Sequence, residues 1–241
     1  MMQTLLNLLL IGVLILCAWS GYKKGLIMGV GGILALLVAI YGANLLANTF
    51  SHDIIPVLRP FASGFMESRI SAKDGVLERM DWDKTNYALH DLLAMNPERE
   101  EEFCRECYMS LGIEESAARA MAADAMEQAE LSGGSLLESV VQVLCETVSF
   151  VACFTLAFLL LIILLTVIGN LPNLSFKLPH LDILNDILGT LLGIATGVAY
   201  GMLIVWALRF AGMLIGEDTL SGSWLSVKLL EHNLLMRYLG L

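Results

Sequence analysis

Between Thr147 and Gly169 the chain runs through Phe158-Leu159-Leu160-Leu161-Ile162-Ile163-Leu164-Leu165 without one Asp, Glu, Lys, Arg or His. That length matches the ~20 apolar residues a helix needs to cross ~30 Å of hydrocarbon. In hydrocarbon every backbone N–H and C=O must be paired within the protein, so a single uncharged run of this kind is committed to a helix. Three other segments share the character. Thr4–Trp19 is the shortest, with Asn7 its main polar interruption, Gly25–Ala47 begins glycine-rich, and Ile187–Gly216 is broken only towards its end by Arg209. A long side chain at such a place reaches the interface by snorkelling. Thr4–Trp19 has the length of a signal-peptide core, but no basic stretch precedes it and no small-residue cleavage site follows, so it reads as an uncleaved span.

Composition agrees with this reading. The 241 residues are 57% apolar and only 16% charged, with a mean hydropathy of +0.72, against roughly 45–50% and ~25% in soluble domains. The charges are also segregated. Asn48 to Ser139 holds eighteen acidic and eight basic residues, which accounts for the whole net charge of −10. A pI near 4.8 with no Lys/Arg cluster excludes the electrostatic footprint of a nucleic-acid binder.

The fold expected is an all-α integral membrane protein with about four transmembrane helices in two hairpins and a helical extracytoplasmic insertion between spans two and three. Its parts are a first hairpin over 1–47, an acidic insertion over 48–139, a second hairpin over 140–216 and an amphipathic tail over 217–241. The first turn is expected in the five residues Ser20 to Lys24. Lys23 and Lys24 place that turn in the cytoplasm under the positive-inside rule, so both termini and the insertion face outward, while Lys177 and His180 lie in the second cytoplasmic turn. Within the insertion, Asn96 reads as the cap of a helix whose first residue is Pro97, with Gly112 as its stop. A second helix runs from Glu114 to Glu130 and ends at Ser132-Gly133-Gly134. Ser135, with Glu138 three residues on, opens a helix that continues unbroken into span three.

Gly189, Gly193, Gly197 and Gly201 recur every four residues and line one stripe of span four, and Gly21, Gly25 and Gly29 repeat the spacing. Such small-xxx-small faces let membrane helices approach closely. The stripe serves packing within one subunit, or a homo-oligomer seam or pore. Alanine should often be tolerated on it, where leucine would force helices apart.

Cys104-Arg105-Glu106-Cys107 is the one motif with chemical spacing, and it is compatible with inert packing thiols, a disulfide, a redox pair or half a zinc site. No second half of a zinc site is visible, and the four histidines show no ligand spacing. Nucleophile-elbow, phosphate-loop and dinucleotide fingerprints are missing. The expectation is therefore no catalytic, cofactor or metal site. Glu146 and Arg209, the ionisable groups nearest the hydrocarbon, read as interfacial.

Gly21-Tyr22-Lys23-Lys24-Gly25-Leu26-Ile27 opening span two, Leu181-Asp182-Ile183-Leu184-Asn185-Asp186-Ile187-Leu188-Gly189 leading into a glycine-laddered span, and the closing Ser221-Gly222-Ser223-Trp224-Leu225 together resemble the colicin V production (CvpA) family. The resemblance covers roughly 1–47 and 135–224. It departs at Asn185 and Asp186, where members often carry an arginine, and in the length of the acidic insertion. It implies a non-enzymatic bacterial inner-membrane protein that supports toxin production or export and envelope homeostasis, with the lipid bilayer and envelope or secretion proteins as partners. A small oligomeric channel or transporter built on span four is the alternative.

Overall fold

The computed structural model describes residues 2–82, 87–170, 182–210, 220 and 222–231, and among these all regular secondary structure is helical. Lys177 and His180, Gly216 at the end of the fourth apolar segment and most of the tail over 217–241 lie outside the described residues. The helices are α1 (Met2–Ser71), α2 (Val76–Arg79), α3 (Leu89–Met95), α4 (Glu100–Ser110), α5 (Glu115–Ser132), α6 (Leu136–Asn170), α7 (Asp182–Leu208) and α8 (Trp224–Glu231).

Three helices, α1, α6 and α7, are long and apolar enough to cross a membrane, which fits a membrane protein. At 1.5 Å per residue the 35 residues of α6 extend about 52 Å, well beyond the ~30 Å of hydrocarbon. Its apolar stretch turns Leu156, Leu160 and Ile163 outward, with Leu160 69% exposed. A contiguous apolar surface of this kind is unfavourable in water and costs nothing in lipid.

The first turn differs from the expected one. Helical backbone continues through Lys24 and breaks at one residue, Gly25, with φ 71° and ψ −174°. Only glycine adopts such a conformation without steric cost. The break divides α1 into arms 2–24 and 26–71. Gly21 lies against Gly189 and Gly193, and Gly29 lies against Leu192. Had the second arm continued the line of the first, Gly29 would stand far from Leu192, so the chain reverses at this glycine. The second arm also outruns Ala47, passing Pro56 and Pro60 before ending at Ser71. No turn residue pair interrupts it until Asp74-Gly75, where Asp74 has a φ of 63°.

Contacts divide the chain into two units. The apolar one comprises Met1–Thr49, Ala152–Ala207 and Asp218–Gly240. The charged one, called the module below, comprises Phe50–Val151 with Leu208–Glu217 and Leu241. Residues 140–151, grouped by hydropathy with the second hairpin, thus belong to the module.

The module has its own core. Phe103, Cys104, Cys107 and Tyr108 of α4 fall at helical i, i+4 spacing, as do Ala117, Ala118, Met121, Ala122 and Ala125 of α5, and all are buried. The alanines on α5 leave room for the aromatic rings on α4. Tyr108 is held by a hydrogen bond from its hydroxyl to the Val140 carbonyl at 3.0 Å. Trp82 stacks on Phe103 with ring centroids 5.9 Å apart, and the Arg99 guanidinium lies over Trp82 while donating to the Met80 carbonyl at 3.1 Å.

Helix ends follow the expected signals in part. Glu114 caps α5, accepting from the backbone N–H groups of Ser116 and Ala117, and Gly133 ends it in the left-handed conformation. Gly112, with φ 80°, follows the end of α4. Asn96 is not the cap expected: its side chain donates back to the Leu92 carbonyl at 2.8 Å and closes α3. Pro97 opens a three-residue 3-10 turn, so α4 proper starts at Glu100. The local i−4 bond competes with capping for the same amide.

Arg209 corrects a second expectation. It does not snorkel. It is 1% exposed within the module, where its Nε donates to Glu114 at 3.0 Å and its Nη2 to Ser116 at 2.7 Å, while its own carbonyl accepts from the Glu114 N–H at 3.2 Å. A buried guanidinium requires this pairing. Glu146, by contrast, stays exposed and accepts from Gln142 at 2.6 Å. Burial pushes the Glu114 carboxyl upward, but the hydrogen bonds from Ser116 and the charge of Arg209 outweigh it and hold the carboxyl below the usual carboxylate range.

A carboxyl whose folded-state pKa is depressed contributes stability that is present above its unfolded value of about 4.3 and is lost as pH falls through the lower folded value. Urea unfolding of the module should therefore weaken below about pH 4.3, and Glu114→Gln should remove part of that dependence. At neutral pH, Glu114→Ala should cost about 3 kcal/mol because it strands a buried charge, and Arg209→Met should cost less because the freed carboxylate reaches solvent. Equal unfolding midpoints for the two variants would refute this asymmetry.

Candidate functional site

The apolar unit is organised around a contact between arm 2–24 and α7, running antiparallel. A Cβ placed on Gly189 would stand 2.5 Å from the Gly21 carbonyl oxygen and 2.8 Å from the Gly25 Cα, and one placed on Gly193 would stand 3.1 Å from the Gly21 Cα and collide with the Cys17 carbonyl. A Cβ on Gly21 would collide with the Gly189 carbonyl in turn. These are backbone contacts, so no side-chain rotation relieves them. The contact loosens along the stripe. A Cβ on Gly197 would stand 3.0 Å from Cys17 Cβ and 3.3 Å from Leu14 Cα, and one on Gly201 would meet only side-chain ends, Leu229 at 3.2 Å and Leu10 at 3.9 Å.

At the tight end the break in α1 is satisfied by Asn185, a residue that spacing alone did not mark. Its Oδ1 accepts from the Leu26 N–H at 2.9 Å, and the side chain is 7% exposed. A Cβ on Gly25 would strike this amide. In low dielectric an unpaired N–H is expensive, and a break in a helix within or near hydrocarbon requires a partner of this sort. The other end of the arm is tied by Asn7, whose Oδ1 accepts from the Ser223 hydroxyl at 2.8 Å and the Leu225 N–H at 3.3 Å. Between them α6 packs on α7 through aromatic edges, Phe154 on Trp206 at 5.1 Å and Phe158 on Tyr200 at 6.1 Å between ring centroids.

Beside the contact between arm 2–24 and α7, sharing Cys17, Gly21 and Gly193 with it, lies a half-open cavity of about 320 Å³. Ser20 and Lys24 from arm 2–24, Gly31 and Gly32 from arm 26–71, Thr166 from α6 and Thr196 from α7 are among its lining residues. Ser20 and Lys24 are one turn apart and so share a face. Lys23 turns elsewhere, its Nζ 5.1 Å from the centre of the Trp19 ring.

Cys104 and Cys107 belong to the module core, both fully buried and both free thiols. Burial pushes the Cys104 thiol up to about 12, helped by the charges of Glu100 and Glu101, and burial raises Cys107 well above its ordinary value. A thiolate is the nucleophile and the metal ligand, so both groups are chemically quiet in this setting. Among the described residues no three His, Cys, Asp or Glu are grouped so as to hold a metal ion. Compared with models of protein families, with curated proteins and with solved structures, the chain matches none of them.

Two outcomes are expected from substitution. At Gly193 even alanine should lower the folded yield in detergent severalfold, whereas Gly201→Ala should be close to neutral, because the first Cβ meets backbone and the second meets flexible side chains. Similar yields for Gly193→Ala and Gly201→Ala would overturn the reading. In the module, Cys104 and Cys107 should resist a neutral-pH alkylating reagent in the native protein and react on unfolding in urea, and fast native labelling would show the core to be open.

Proposed function

We propose that the chain is a multi-span protein of the bacterial inner membrane that works by contact rather than by catalysis, holding a folded acidic module at the membrane as part of toxin export or envelope maintenance, as its resemblance to the colicin V production family implies. The observation that carries the spanning part is a pair of interfacial belts at the two ends of one arm. Trp19, Tyr22, Lys23 and Lys24 cluster beside the Gly25 turn, with Trp19 and Tyr22 60% and 52% exposed. Near the other end, the hydrogen bonds to Asn7 bring in the start of α8, where Lys228 Nζ lies 4.4 Å from the Trp224 ring. Exposed aromatic residues with lysines are the usual occupants of a membrane–water boundary. From Asn7 to Lys23 the arm rises about 24 Å, close to the thickness of hydrocarbon it would cross. With arm 26–71, α6 and α7 this gives four crossings.

The module supports the contact reading. It owns a closed aromatic and aliphatic core, and its charge resides on a surface suited to a basic or polar partner. The channel alternative leans on the glycine stripe of α7, and arm 2–24 of the same chain covers that stripe from Gly189 to Gly197. An oligomeric pore would have to use another face.

Single cysteines at Ser63 and Ser175, introduced into a chain whose native cysteines are serine, should report the orientation. An impermeant reagent applied to intact cells should reach Ser63→Cys and miss Ser175→Cys, and the reverse pattern would invert the topology. For function, cells lacking the protein should take up an envelope-excluded dye faster than wild type, and a chain without residues 72–135 should fail to restore the barrier. Full rescue by that truncated chain, present at normal levels, would remove the module from the function proposed.

A further inference from the structure

We propose that the half-open cavity of the apolar unit is a binding site for one anionic phospholipid, with its phosphate on Lys24 and one acyl chain along the glycine floor; this rests on the spanning reading given above.

The argument begins with a contrast between glycines. Where Gly21, Gly189 and Gly193 are filled in by a neighbouring backbone, Gly31 and Gly32 have nothing within 4 Å of where a Cβ would stand. Both line the cavity, so their missing side chains make a trough rather than a helix contact. A trough of this kind beside hydrocarbon forfeits dispersion contacts along its walls unless something occupies it. Its ~320 Å³ lies at the lower end of the ~300–1,000 Å³ range of ligand pockets.

The glycines alone would not define an occupant. The polar end does. Lys24 makes no ion pair or hydrogen bond among the described residues. It sits with the Ser20 hydroxyl in the cavity wall, at the level of the Trp19–Lys23 belt where headgroups lie. A lysine at that level is complementary to a phosphate, and anionic lipid is drawn to cationic groups at the membrane surface. The dimensions agree as well. On the second arm the wall runs from Met28 to Ala35, a rise of about 10 Å, which lies within one leaflet, half of the ~30 Å hydrocarbon core. A cation at headgroup level above a glycine-floored trough that stays within one leaflet fits a single lipid molecule better than it fits a transmembrane helix of a second copy, which would need the whole thickness.

Native mass spectrometry of the full chain, released from micelles containing phosphatidylglycerol or phosphatidylcholine, tests this. One phosphatidylglycerol should remain bound, at least tenfold more than phosphatidylcholine at equal concentration. Lys24→Gln should reduce that preference about tenfold. Gly32→Leu fills open space without touching backbone, so it should fold normally and lose the lipid. Gly12→Leu, also facing open space but outside the cavity, should retain it. Equal lipid retention by Gly32→Leu and Gly12→Leu would overturn the proposal. So would a species of doubled mass that disappears in Gly32→Leu, since the trough would then hold a second copy. Displacement of the lipid by millimolar inorganic phosphate would show that the anion alone is bound, and would overturn the acyl-chain part. Cysteine labelling at Ser63 and Ser175 tells the two readings apart: an orientation other than the one expected defeats the spanning reading, whereas the expected orientation with no retained lipid defeats this one alone.

Discussion

The backbone contact between Gly21 on one side and Gly189 and Gly193 on the other sets the geometry of the apolar unit. Helices in hydrocarbon gain little from burying leucine, because the surrounding lipid is equally apolar, so their association depends on how closely two backbones can approach. Here the approach is close enough that a Cβ on any of the three glycines would collide or nearly collide with main-chain atoms. Everything else in the unit is placed by that approach. It brings Asn185 to the Leu26 N–H and so satisfies the reversal at Gly25, and it lines up Asn7 with Ser223 at the far end. It also leaves Gly31 and Gly32 of the second arm, next to Gly29, uncovered.

The module obeys a different physics. Its helices are short, its interior is built from Phe103, Tyr108 and an alanine face on α5, and its principal polar tie is a buried cation. Arg209 lies 95 residues from Glu114 in sequence, yet three hydrogen bonds join its side chain and carbonyl to the segment that caps α5. One carboxylate there does two jobs. It satisfies the N-terminal N–H groups of the helix and neutralises a guanidinium that has been taken out of water, and each role lowers the energy of the charged form that the other requires.

Cysteine usage takes its meaning from the same core. Cys104 and Cys107 are one helical turn apart, a spacing that redox pairs, zinc ligands and packing residues share. Their burial beside Tyr108, together with thiol pKa values moved far above neutrality, gives them the character of small hydrophobes in this structure.

The apolar runs, the segregation of charge into Asn48–Ser139, the glycine spacing and the ends of α5 were readable in the residues, because each depends on local periodicity or on one residue's conformational preference. Helix in hydrocarbon is forced by backbone hydrogen bonding, and Gly133, free to take the left-handed conformation, closes α5 after a polar Ser132 and before a second glycine. What lies across from those features was not readable. The stripe on α7 announces that something approaches, but only the fold shows that it is arm 2–24 of the same chain. Lys23 and Lys24 marked a turn, but the reversal falls on the single residue Gly25, and its acceptor, Asn185, is 159 positions from Leu26. Arg209 looked interfacial because hydropathy counts neighbours in sequence, and Glu114 is not among them. Periodicity fixes which face of a helix is apolar or small; which face it meets is a long-range choice, decided when the chain closes and buried backbone and charge must all find partners at once.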